Sequence, residues 1–136
     1  MKLPTTQEIV EDLEFLDDWE ARYQYIIDLG KQLPTLSEEK KLPEYKVKGC
    51  QSDVWLIADK QGEKLTFEVD SDAIIVRGLL ALVMAAYEKK TPAEITAFDI
   101  DGYFSALDLE RHISPTRGNG LRAIVNNIRT LATHAG

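Results

Sequence analysis

The apolar positions change period twice along the chain. Ile9, Val10, Leu13 and Leu16 recur at helical spacing. They follow Thr5-Thr6-Gln7-Glu8, where a hydroxyl and a carboxylate three residues on make a capping box. Asp17-Asp18-Trp19-Glu20 offers a second cap and an acidic first turn, which suits the helix dipole. Trp19, Tyr23, Ile26, Ile27 and Gly30 then share one face of a longer helix. It is predicted to end near Gln32, because Leu33-Pro34 disfavours further helix. Ser37-Glu38-Glu39-Lys40 predicts one more turn before the polar connector Lys40-Lys41-Leu42-Pro43.

A period of two follows. Glu44 to Lys48, with Tyr45 and Val47 on one face, predicts a short strand, and Val54 to Asp59 a buried one. Lys60-Gln61-Gly62-Glu63 is a turn signal. Beyond it Leu65, Phe67 and Val69 alternate with Thr66, Glu68 and Asp70, a strand with one wet face. Two adjacent runs joined at a glycine predict an antiparallel hairpin.

The helical period then returns. Ser71-Asp72 reads as the cap of a helix from Ala73 to about Glu88. Its apolar residues cover most of the circumference, so it is the central buried helix, and Gly78 within it marks a close approach of another element. Thr91-Pro92-Ala93-Glu94 starts a short helix that Phe98 to Gly102 breaks, and Tyr103 to Leu109 adds a turn or two. Ser114-Pro115 opens a last helix with the stripe Leu121, Ile124 or Val125, Ile128 and Leu131, fraying over Thr133 to Gly136. Gly118-Asn119-Gly120 weakens its first turn, so this part reads as a loop pinned near Arg117. Helices, about three strands, then helices is the order of an α+β fold, a small antiparallel sheet flanked by helices. With no repeat or linker, residues 1–136 read as a single domain.

Composition removes several functions. With 44% hydrophobic residues the chain can bury a core without staples, and a net charge of −7 opposes nucleic-acid binding. The N-terminus lacks the apolar stretch of a signal peptide, and the longest apolar run, near Leu79 to Ala86, is too short for a bilayer. A cytoplasmic protein without membrane contact is expected. The two histidines, His112 and His134, and the one cysteine do not sit at zinc spacings, so no metal or cofactor is expected. Gly118-Asn119-Gly120 lacks the lysine of a phosphate-binding loop and is turn chemistry.

That leaves Cys50, in Val47-Lys48-Gly49-Cys50-Gln51-Ser52-Asp53-Val54-Trp55. The ordinary reading of a lone cysteine is an inert buried side chain. Its neighbours argue otherwise. Gly49 permits an unusual backbone, and Gln51, Ser52 and Asp53 do not suit a buried strand. Lys46 and Lys48 favour the thiolate and Asp53 opposes it, leaving the net sign open. With no second cysteine, no internal disulfide can expel a sulfur atom held on Cys50. That suits a carrier better than an oxidoreductase. A thiol hydrolase needs a histidine beside Cys50, and the distance of His112 in sequence neither supports nor excludes it.

From Gly49 to Trp55 the chain resembles the SufE family of sulfur-acceptor proteins. The likeness continues through Trp19-Glu20 with Tyr23, Ile26 to Pro34, Asp70 to Ala73, Ile75 to Leu79, Thr91-Pro92, and Ser114 to Arg117 with Gly120-Leu121. The Gln51-Ser52 pair looks like SufE itself rather than its CsdE paralogue.

The resemblance implies a fold like the IscU scaffold without its metal-binding cysteines. It implies a partner, a SufS-type pyridoxal-phosphate cysteine desulfurase that takes sulfur from L-cysteine and holds it as a persulfide. Cys50 would accept that sulfur, stimulate the enzyme, and deliver sulfur to iron–sulfur cluster assembly on a SufBCD-type complex. Gly49, Gln51 and Ser52 would shape the loop, Asp72 would pin it or merely cap its helix, and Arg117 would stabilise thiolate or persulfide or be a plain surface residue. The resemblance is compatible with a homodimer. A CsdE-like acceptor for another desulfurase and a non-catalytic adaptor stand as alternatives.

Overall fold

The structure is a computed structural model and describes residues 2–135. Met1, and Gly136 at the end of the expected frayed tail, lie outside the described residues. Helix α1 spans Thr6–Glu14 and α2 spans Trp19–Gly30. Both halves of the capping box form: the Glu8 N–H donates to Thr5 Oγ1 at 3.1 Å, and the Thr5 N–H to Glu8 Oε1 at 3.0 Å. Asp18 caps α2 by accepting from the Ala21 N–H at 2.8 Å. The expected turn appears as a 3₁₀ turn, Glu38–Lys40.

The sheet has two strands, not about three. Strands β1 (Val54–Gln61) and β2 (Lys64–Ser71) pair antiparallel, from Val54 against Ser71 to Gln61 against Lys64. Gly62, at φ +62°, takes the first place of the two-residue turn, where a positive φ matches the strand twist. The strand expected over Glu44 to Lys48 is absent. Pro43 sets the φ of a 3₁₀ turn, Pro43–Tyr45, and only one bridge follows, Lys46 against Trp55. The wet face of β2 also needs correction. Asp70 is 3% exposed, because the connector after α2 folds over that end of the strand and donates the Leu36 N–H to Asp70 Oδ2 at 2.9 Å.

Helix α3, Ile74–Tyr87, is buried nearly all round. Its N-cap is Ala73, with no side-chain cap; the Ala73 N–H donates to Ser71 Oγ at 3.3 Å, so the expected cap by Asp72 does not form. Gly78 is where α2 crosses. A Cβ there would lie 2.5 Å from the Ile26 carbonyl oxygen, and one on Gly30 would lie 2.6 Å from the Gly78 nitrogen. Only a glycine pair lets the two backbones approach so closely.

Helix α4 is Pro92–Ala97, and α5 is Ile100–Ala106. The segment expected to break the chain thus begins α5, because Asp99 accepts from the Gly102 N–H at 3.0 Å and starts a new helix. A 3₁₀ turn, Leu109–Arg111, leads to α6, Pro115–Ala135. Gly118-Asn119-Gly120 is helical rather than a loop. The Ser114 hydroxyl accepts from the Arg117 N–H at 3.2 Å, and buried Leu121, Ile124, Val125 and Ile128 anchor the helix, which outweighs the glycine cost. Residues from α1 to α6 contribute to one hydrophobic cluster around α3.

Candidate functional site

The chain between Val47 and Val54 leaves the hairpin as a short arm closed at its base. The Val47 N–H donates to the Val54 carbonyl at 2.9 Å, and Lys46 pairs with Asp53 across the base at 3.1 Å. Lys46 is therefore committed to Asp53 and also lies over the Trp55 ring at 5.8 Å. Neither charge of that pair is left to act on the thiol alone. Gly49 turns the arm at φ +91°, a conformation L side chains rarely adopt, and a Cβ there would lie 3.2 Å from the Ala123 methyl. The arm folds back onto α6.

Cys50 is half-buried. Its thiol donates to the Gly120 carbonyl at 3.5 Å. It lines a cavity of about 300 Å³ between the arm, α3 and α6. Val54, Val76, Leu79, Leu121 and Ile124 form the apolar walls; Gln51, Ser52, Ser114, Thr116 and Arg117 add polar groups. Burial pushes the Cys50 thiol up from its usual pKa, because the site disfavours the charged form. The resting thiol is a weak nucleophile.

Among the expected site residues, the structure brings Cys50, Gln51, Ser52 and Arg117 together around one cavity. Gly49 is the bend of the arm. Asp72 is exposed and does not line the cavity; its N–H donates to the Asp53 carbonyl at 3.4 Å, so it touches the arm through its backbone. Neither histidine lines the cavity; His112 stacks on Trp19 with ring centroids 3.8 Å apart. Among the described residues, no group of three or more His, Cys, Asp and Glu side chains is placed to hold a metal ion, and no helix is long and apolar enough to cross a membrane.

The family model of SufE, the Fe-S metabolism associated domain, matches residues 7–132. The chain belongs to the SufE family. An uncharacterized SufE-like protein of Rhizobium etli is 49% identical over 131 residues, covering 93% of this chain and 88% of that protein. An uncharacterized SufE-like protein of Rhizobium meliloti is 43% identical over 134 residues, covering 96% of each. The solution structure of a hypothetical protein from Thermus thermophilus shares the fold, with a TM-score of 0.78 at 22% identity over 99% of this chain and 98% of that one. A role in iron–sulfur metabolism comes with the family.

Sequence reasoning missed two features of this SufE-family site. The first is the Gly120 carbonyl, since a backbone acceptor carries no side-chain signal. A Cβ on Gly120 would lie 3.5 Å from Cys50 Sγ, so this face of α6 is open enough for the arm to rest on it. The second is the pair that buried Asp70 makes with Arg77. Asp70 accepts from the Arg77 guanidinium and from the Ser71 N–H at 2.8 Å. Arg77 also donates to the Leu33 carbonyl at 2.8 Å and the Gly30 carbonyl at 3.3 Å. An aspartate at the end of a strand, seven residues before an arginine in an apolar helix, is the signal that was present.

Proposed function

We propose that the chain is the sulfur acceptor and carrier of a SufS-type cysteine desulfurase, with Cys50 as the persulfide-bearing residue, and that the whole chain acts as one domain. The observation that supports this most is the placing of its one cysteine. Cys50 sits on a glycine-turned arm, held by a single sulfur–oxygen hydrogen bond inside a cavity with an apolar wall. A stand-alone enzyme keeps its nucleophile activated, whereas here burial suppresses the thiolate. The arm fits a thiol that is inert alone and reactive when drawn out into a partner.

The transfer follows thiol–disulfide exchange. The Cys50 thiolate attacks the terminal sulfur of the donor's cysteine persulfide. A bond forms from Cys50 Sγ to that sulfur, and the donor's sulfur–sulfur bond breaks. The donor cysteine leaves as thiolate, the proton from Cys50 passes to solvent or to that thiolate, and no net oxidation occurs. Arg117, exposed at the cavity rim, stabilises the anionic sulfur, and Asp72, through its contact with Asp53, braces the arm's base. The charged carrier then hands sulfur to iron–sulfur cluster assembly, in this reading to a SufBCD-type complex.

Incubation with a SufS-type desulfurase and L-cysteine, followed by intact mass under non-reducing conditions, tests this. The wild type gains sulfur in whole-atom steps, and Cys50→Ser gains none. An unmodified wild type that still accelerates the desulfurase replaces the carrier with an adaptor.

A further inference from the structure

Beside the Cys50 arm, and sharing no lining residue with the cavity, lies an open groove of about 520 Å³. Its walls are Lys46, Val47 and Lys48 on the arm side and Ala123, Thr130 and Leu131 along α6, with two asparagines between. Three observations single it out. Val47, Ala123 and Leu131 give it an apolar share of its lining. None of its lining residues is a carboxylate, although the chain carries a net charge of −7. Of its two cations, Lys46 is held by Asp53, while Lys48 is exposed and has no ion-pair partner among the described residues.

We infer that this groove is the dock for an acidic segment of the desulfurase partner, with an apolar side chain on that apolar lining and a carboxylate at Lys48. The inference rests on the carrier reading above. Charge complementarity argues for the occupant: an acidic protein offers a carboxylate-free cationic groove only locally, and opposite charge there favours association and sets orientation. Continuity with the site argues for the partner. Ala123 lines the groove and is also the residue against which Gly49 rests. An occupant reaching the Ala123 methyl competes with Gly49 for it. The competition lifts the arm, breaks the Cys50–Gly120 hydrogen bond, and frees the thiol. Docking and release are thus one event.

The test uses the full-length chain and a SufS-type desulfurase. Lys48→Glu reverses the exposed cation, Thr130→Glu places a carboxylate in the groove, and Lys64→Glu makes the same charge change on the exposed end of β2. The groove variants should bind about tenfold more weakly, mainly through a slower, salt-dependent on-rate, while Lys64→Glu binds like wild type. Desulfurase at a concentration that half-saturates the wild type should also speed alkylation of Cys50 in the wild type more than in Lys48→Glu. Equal affinity of wild type and Lys48→Glu overturns the dock and leaves the carrier standing. Equal weakening by Lys48→Glu and Lys64→Glu overturns it too, since only net charge then matters. A change confined to self-association assigns the groove to a second copy instead. If the wild type neither binds the desulfurase nor takes sulfur, the carrier reading itself fails.

Discussion

Two stretches meet at the same end of the β1–β2 hairpin and are held in opposite ways. Asp70 and Ser71 leave β2 where the Cys50 arm enters β1, since Val54 pairs with Ser71. On the exit side, part-buried Arg77 and buried Asp70 tie β2, α3 and the end of α2 together through charge-assisted hydrogen bonds. On the entry side, the arm is clasped at its base, and beyond that Cys50 packs at the edge of the core with one hydrogen bond to α6 while Gly49 lies beside the Ala123 methyl. The proposed carrier role needs both. The frame must keep its shape so that the cavity is always there, and the arm must cost little to lift.

The largest effects belong to the frame. Arg77→Ala leaves the 3%-exposed Asp70 as a buried charge without its main partner, a change that costs about 3–5 kcal/mol. Urea unfolding should show that loss as a lower midpoint with an unchanged slope. Lys41, with Nζ 3.8 Å from Asp70 Oδ2, stays as an ion-pair partner without a hydrogen bond, so it offsets only part of that loss. A loss below about 1 kcal/mol, the range of an exposed pair, would show that water reaches Asp70 and that the junction is not rigid. Next in size is Gly78→Ala. The new Cβ would meet the Ile26 carbonyl, so α2 must retreat from α3, at about 1–3 kcal/mol by analogy with other overpacked cores. The same measurement reads it.

The frame and the arm were not equally legible in the sequence. Periodicity and capping residues carried the helices and the hairpin, because those signals are local: Thr5 with Glu8, Thr91 with Glu94, and Gly62 at the turn each act within a few residues. The errors arose where distant chain decides the outcome. Residues 44–48 alternate like a strand, but Pro43 starts a turn and only Lys46 finds a bridge. Gly118 to Gly120 look like a loop until the buried stripe of α6 is packed. Asp70 looks wet until the connector after α2 covers it. For the site, Cys50 and its loop stood out by residue type, and Arg117 entered through the family likeness. The thiol's electrostatics were not legible. They are set by burial in the cavity, which spacing does not encode.

The smaller effects belong to the arm. Gly49→Ala puts a side chain at φ +91° and a Cβ against Ala123, a strain of about 1–2 kcal/mol confined to the closed arm. Since the open arm escapes it, the closed-to-open ratio should fall about tenfold. Global stability should change far less than in Gly78→Ala, while iodoacetamide alkylation of Cys50 at neutral pH should speed up. Matching losses of stability in the two variants would mean that the arm is part of the frame.

The subtlest consequence is in the pH dependence of that alkylation. Burial raises the Cys50 pKa, so at neutral pH the folded protein holds less thiolate than a free cysteine does. The rate should therefore climb with pH through a midpoint above that of the urea-unfolded chain. Lifting the arm restores water to the sulfur, so Gly49→Ala should move the midpoint back down toward the unfolded value. Arg117→Ala distinguishes the two environments. In the closed arm desolvation dominates and the variant's midpoint should scarcely move, whereas in the Gly49→Ala background, with the thiol at the rim, loss of the guanidinium should raise it. A wild-type midpoint at or below the unfolded value would show that the arm already spends its time open, and the contrast between frame and arm would then lie in population rather than in reach.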